Sequence, residues 1–403
     1  MTSVDLVPDE ALWKTETGWR SVLGRIDFRQ YGMIIALAVI VVLFGVTTDG
    51  VLLRPLNVTN LIMQNSYILV LAIGMMLVIV NGHIDLSVGS VAAFIGAISG
   101  AMIVTWDVPW PLAVVIALAA GALIGAWQGF WIAYVRIPSF IVTLAGMLLF
   151  RGLAQTVLKG QSLAPFPDSF RQISSGYLPD LGSLGGLHLI TVGFGVAASL
   201  AVVWLEWTSR RRRVEYGLPP GSWIWSVVKV LALIAVINAF AIQLARYRGL
   251  PVVGVLLIAL IIAYSFVMNS SVAGRRVYAV GGNEKAALLS GVKTKKVSFG
   301  VFVNMGVLAA LAGLIFAGRL NAATPQAGVN FELDAIAAAF IGGASASGGV
   351  GRVIGAIVGA LVMGVMNNGM SIIGMDVNLQ QVVKGAVLLA AVAFDVYNKN
   401  KSK

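Results

Sequence analysis

Cysteine is absent from all 403 residues. Without a thiol the chain can form neither a disulfide nor a thiolate metal site, and its two histidines, His83 and His188, stand far apart in sequence. Metal chemistry is not expected. Charge is almost as scarce, with 11% of residues charged against 58% hydrophobic, a composition outside the range of soluble domains. Also missing is a phosphate cradle of the form Gly-x-x-x-x-Gly-Lys-Ser/Thr. The run Gly343 to Gly351 comes nearest, but it leads into Arg352 with no lysine and hydroxyl pair. The chain is therefore expected to hydrolyse no ATP, to carry no catalytic residues and to bind no cofactor of its own. Residues 1–30 mix five acids with four bases, unlike the basic start of a signal peptide.

What the chain has in abundance is apolar runs of about twenty residues, each long enough to cross a bilayer as a helix. They fall near 31–48, 57–80, 84–104, 111–133, 138–158, 188–208, 222–245, 251–268, 299–319, 332–348, 352–370 and 378–396. This predicts an all-α polytopic bundle of about twelve spans forming one domain over 31–396, with both termini on one side. In the 1–30 segment, Trp19, Val22, Leu23 and Ile26 share helical spacing and predict a short interfacial helix. With the N-terminus cytoplasmic, the inner segments hold nineteen of the 28 Lys and Arg and the outer ones six. That asymmetry fixes the orientation, and it accounts for the net charge of +11 without nucleic acid.

The longest polar stretch, residues 269–298, carries Arg275, Arg276, Lys285, Lys293, Lys295 and Lys296 against a single acid, Glu284. It belongs on the cytoplasmic face. Gly281, Gly282 and Asn283 predict a sharp turn through positive φ, followed by a short helix over Glu284, Lys285, Ala286, Ala287 and on to Leu289 that Gly291 stops. A turn and helix of this kind suit a docking peg.

Three interruptions stand out. Residues 159–187 form a long external segment with three prolines and five glycines, expected to be either a connector or, since such length is uncommon without a partner or a local fold, a docking surface. The span at 332–348 opens on Glu332 and Asp334 and closes on a glycine-rich run, which predicts either a broken helix or close packing through small residues. Between two apolar runs, His83 and Asp85 could form a proton relay, but a cap on the next helix by Asp85 is the preferred reading. Arg151, Lys229 and Lys384 are expected to snorkel from their spans. Within the spans, Gln64, Asn65, Thr143, Asn304 and Asn367, with Asn368, offer hydrogen bonds suited to a neutral polar cargo, although packing explains each singly.

The motifs Gly82-His83-Ile84-Asp85-Leu86-Ser87-Val88-Gly89-Ser90, Pro138 to Leu144, Tyr278 to Ala287, Glu332 to Ala338 and Asn367-Asn368-Gly369 resemble those of permeases in bacterial monosaccharide ABC importers, the ribose, xylose, arabinose and galactose type. The match runs from about 31 to 396. The resemblance implies a permease homodimer in the inner membrane, a periplasmic sugar-binding protein, and an ABC ATPase subunit that uses ATP and Mg. It makes Gly281 to Ala287 the ATPase coupling segment. Extra length between about 188 and 250 adds two spans and the Arg210 to Arg213 run, as in xylose-type members, and these spans are expected at the rim. The alternative is an ion-coupled secondary carrier using His83 and Asp85. Such carriers show matched broken helices in their two halves, and no matched pair is legible in the sequence.

Overall fold

In the computed structural model, residues 28–180, 182–218 and 222–401 are described; the interfacial helix expected around Trp19 lies outside them. Among the described residues nine helices are long and apolar enough to cross a membrane. They are α2 (Pro55–Val80), α3 (Val88–Gly100, continued by a π-turn over Ala101–Thr105), α4 (Trp110–Ala133), α5 (Ser139–Leu158), α7 (Leu189–Glu215), α8 (Trp223–Ala245), α9 (Val252–Ser270), α12 (Thr294–Leu320) and α14 (Val353–Ile372). Two further expected spans have shorter apolar stretches, in α1 (Phe28–Thr47) and α15 (Val377–Lys401). The twelfth departs from expectation. Instead of a span over 332–348 there is an 11-residue helix, α13 (Phe331–Ile341), followed by a glycine-rich loop.

Two antiparallel helices form the centre. Tyr67 of α2 meets Phe316 of α12 at 5.2 Å, and farther along Asn81 donates to the Ser298 hydroxyl at 2.8 Å. Along α4, Gly121, Gly125 and Gly129 recur every four residues and press on α12 at Gly306, Phe302 and Phe299. In an apolar solvent such small-residue seams replace the hydrophobic effect, because dispersion between close backbones is what holds the helices together. Helix α14 packs on α2 in the same antiparallel sense, with Gly364 against Asn65 and Gly351 against Val80.

The arrangement is a repeat. Each central helix is followed by an irregular segment that turns back into the bundle and then by a short helix: α2, residues 81–87 and α3 in one half, α12, residues 321–330 and α13 in the other. The first turn of α3 meets the second irregular segment where Gly89 abuts the Gly328 carbonyl. Because α2 and α12 run oppositely, the halves are inverted. A matched, inverted pair of helix–segment–helix units therefore exists, which the sequence reading did not find. Its trace is the pentapeptide Ala-Ala-Phe-Ile-Gly, present at 92–96 and again at 338–342, with left-handed Gly82 and Gly328 at the same offset.

The segment 159–187 carries a local fold. It contains α6 (Asp168–Ser175) and a hairpin of β1 (Ser183–Leu184) with β2 (Leu187–His188). Phe166, Phe170 and Ser174 are buried under it, with Ser174 against Gly318 of α12. Helices α7 and α8 are mostly exposed and pack chiefly on each other, through Gly195 against Ala241 and a 2.8 Å Asn238 to Ser199 hydrogen bond. The added pair thus sits at the rim, as expected. The Lys229 ammonium pairs with Glu206 of α7 at 2.8 Å.

Candidate functional site

The stretch 269–298 is built as two helices, α10 (Val272–Gly282) and α11 (Glu284–Leu289). Ser271 caps α10 by accepting from the Gly274 amide at 3.1 Å. Gly274, Val277 and Val280 turn inward while Arg275 and Arg276 stay exposed, so α10 lies on the body of the protein as an amphipathic rod. Asn283 is extended (φ −161°) and caps α11, its Oδ1 accepting from the Ala286 amide at 3.0 Å. The expected positive-φ turn is absent: Gly281 and Gly282 are the last residues of α10, and the left-handed residue is Gly291, which does stop α11.

Gly281 is needed for a different reason. A Cβ on it would lie 1.6 Å from the Val80 carbonyl oxygen and 2.9 Å from the Gly349 amide. The seat is the glycine-rich loop after α13: the Gly349 amide donates to Val80 at 2.8 Å, Gly349 lies against Gly282, and the Tyr278 hydroxyl donates to the Gly351 carbonyl at 2.7 Å. The closing glycines of the 332–348 feature thus serve as the bed of α10. Of the expected coupling residues, Ala287 is buried beneath α11, whereas Gly282, Asn283, Glu284, Lys285 and Ala286 are exposed. The tip is apolar. Leu288 is 56% exposed and Leu289 89%, a pair whose place at the end of the peg the sequence could have signalled through its wet surroundings.

Beside the peg is a cavity of about 380 Å³ lined by Gly82, His83, Arg136, Ser139, Glu284 and Lys295, among others. His83 packs 5.6 Å from the Phe302 ring, and burial pushes its imidazole below the ordinary value while Glu284 opposes that shift. A base held neutral in the fold binds a proton less readily than in the unfolded chain. Stability should therefore be present above about pH 6.5 and fall as acid charges the unfolded state first. His83→Gln should flatten thermal unfolding temperature, measured in detergent between pH 7.5 and 5.5.

From His83 the chain enters the bundle. Left-handed Gly82 closes α2, with the His83 amide donating to Val78 at 3.0 Å. Asp85 is buried and its Oδ1 accepts from the Ser87 amide at 2.8 Å and the Ser87 hydroxyl at 2.6 Å, just ahead of α3. The Ser87 hydroxyl in turn accepts from Gln128 of α4 at 2.7 Å, in space left by Gly146. Asp85 thus closes a turn ahead of α3 within this network and does not cap the helix as expected, since the N-cap position is Ser87 and no side chain accepts from the first-turn amides; Gln128 is the partner the sequence did not reveal.

Hydrogen bonds within the bundle engage three of the five pathway candidates. Asn65 donates to Leu61 at 2.8 Å beside Gly364, Thr143 donates to Ser139 at 2.8 Å, and Asn304 accepts from the Tyr264 hydroxyl. Gln64 is half-buried on α2, and Asn367 on α14 has a buried carbonyl oxygen without a partner, while its neighbour Asn368 accepts from Asn57 at 2.8 Å. Arg151 and Lys384 each have a partner on a neighbouring segment. Arg151 donates to the Gly328 carbonyl at 3.2 Å, and Lys384 pairs with Asp334 at 3.2 Å.

Residues 57–392 match the family model described as branched-chain amino acid transport system / permease component. The xylose transport system permease protein of Haemophilus influenzae is 42% identical over 382 residues, covering 94% of this chain and 99% of that one. Its counterpart in Escherichia coli strain K12 is 41% identical over 390 residues, 96% of each. The ribose import permease protein of Bacillus subtilis is 33% identical over 367 residues, 91% of this chain and 92% of that one. No solved structure matches.

Proposed function

The chain belongs to the branched-chain amino acid transport system permease-component family and is a permease subunit of a sugar ABC importer; we propose that its cargo is xylose or a closely similar aldopentose. The observation that carries this is the greater similarity, over nearly the whole chain, to permeases named for xylose than to those named for ribose. In this reading a periplasmic binding protein delivers the sugar and a separate ATPase subunit consumes ATP and Mg. Two copies of the chain stand in the bacterial inner membrane with their termini in the cytoplasm.

The peg formed by Gly281 to Ala287 couples the two subunits. Leu288 and Leu289 would enter an apolar groove of the ATPase, and movement of that groove would act on Val80 through Gly281. From Val80 the displacement reaches residues 81–87 and the start of α3, where the inverted halves meet. Of the pathway set, Asn304 and Asn367 each keep a buried amide atom without a partner, which leaves them able to bond a passing hydroxyl once the helices shift.

Co-expression with the ATPase and binding protein should give ATP-dependent accumulation of labelled xylose, competed by unlabelled xylose better than by ribose. Accumulation of leucine without xylose would overturn the cargo assignment. Topology is tested by Ser169→Cys, an exposed position in the external fold and the chain's one thiol in that variant; Ser174 is unsuitable because it is buried. Alkylation of the introduced thiol only from the cytoplasmic side would invert the assigned orientation.

A further inference from the structure

Among the ionic pairs that the mechanism outlined above leaves unused, one joins α13 to α15. Asp334, in the first turn of α13, and Lys384, in α15, pair at 3.2 Å across a cleft of about 190 Å³ that Asn330 and Gln381 also line. The surroundings are otherwise Leu333, Ala337, Met363 and Leu388. The depth is set by neighbours. Phe331 stacks 4.2 Å from Tyr67 in the middle of α2, and the Gly328 carbonyl meets Arg151 in the middle of α5. Asp334 lies one helical turn beyond that level.

An acid and a base at such a depth are costly to keep in hydrocarbon, so they occur where they face protein or water. Irregular backbone at membrane depth has the same requirement, and the segment 321–330 that launches α13 supplies it at the same place. A strut would be expected to close around its charges, whereas Lys384 keeps 24% of its side chain accessible while Asp334 keeps 9%. Both carboxylate oxygens of Asp334 are reached only by the one ammonium, at 3.2 and 3.5 Å. Acceptor capacity on the acid and donor capacity on the base therefore remain, flanked by two amides that can do either.

We propose that Asp334, Lys384, Asn330 and Gln381 form a hydroxyl-binding station for the sugar on its way through the permease. The carboxylate would accept from adjacent hydroxyls, the ammonium would donate to a hydroxyl or ring oxygen, and the amides would fix orientation. The pair is neutral as a whole, so a neutral polyol can be held and released without a co-transported ion. This rests on the sugar-permease reading and gives it a site that the sequence inventory did not contain.

The test uses the complete importer with labelled xylose. Asp334→Asn and Lys384→Met should each lower uptake roughly tenfold or more, the scale of one lost charge-assisted hydrogen bond, with the chain still present in the membrane. The exchanged variant Asp334→Lys with Lys384→Asp rebuilds an ion pair but misplaces donor and acceptor, and it should remain inactive. Recovery of uptake in the exchanged variant would make the pair a strut and overturn the station. Should the single variants fail to reach the membrane, Gln381→Cys decides: xylose must slow alkylation of the introduced thiol, and absence of protection refutes the station. Full uptake by Asp334→Asn overturns this inference alone, whereas a wild-type complex that imports no xylose overturns the cargo assignment beneath it.

Discussion

Replacing Gly281 with valine is expected to abolish sugar uptake and the stimulation of ATP turnover by loaded binding protein. The new Cβ would stand 1.6 Å from the Val80 oxygen, 2.7 Å from its carbonyl carbon and 2.9 Å from the Gly349 amide, all backbone atoms that no rotamer change can withdraw. Helix α10 would have to lift from its bed, losing the contact between the peg and the end of α2, and a loss of about tenfold or more in coupled rate corresponds to only ~1.4 kcal/mol. Gly282→Val is expected to be milder. A Cβ at this position would meet nothing within 4 Å, and the residue does not lie in the left-handed region, so the positive-φ expectation for it fails. Reconstituted complexes of the two variants, compared for uptake and ATP turnover with and without binding protein, provide the check. Equal and full activity of both would remove the Val80 contact from the coupling route.

Gly125→Leu should prevent the bundle from assembling. At this position a Cβ would be 2.3 Å from the Phe302 carbonyl oxygen and 2.9 Å from the Val303 Cα, in the middle of the seam whose other members are Gly121 and Gly129. Overpacking a good interface costs typically 1–3 kcal/mol, and more when the obstacle is backbone on both sides, because α4 and α12 must then part along their length. Recovery of monodisperse protein by size exclusion and thermal unfolding in detergent measure the effect. Gly152→Leu on α5, where nothing lies within 4 Å, is the matched control and should behave like the parent. A Gly125→Leu protein as stable as the control would mean that this glycine row does not hold the bundle together.

The apolar runs determined by themselves that the chain is a membrane-spanning helical bundle, since length and hydropathy alone decide whether a segment can satisfy its backbone in lipid. Eleven of the twelve expected spans correspond to apolar helices, and the wet stretch, the stop at Gly291 and the rim position of the added pair were legible for similarly local reasons. Distance was the obstacle elsewhere. Whether Gly281 serves a turn or a close approach depends on Val80 and Gly349, far from it in sequence. The repeated Ala-Ala-Phe-Ile-Gly hints at inverted halves, but five small and apolar residues carry no orientation until α2 and α12 are seen to run oppositely. The same holds for the lone bases. Arg151, Lys229 and Lys384 look alike on apolar helices, and only the tertiary structure decides that a carbonyl, Glu206 and Asp334 are their respective partners.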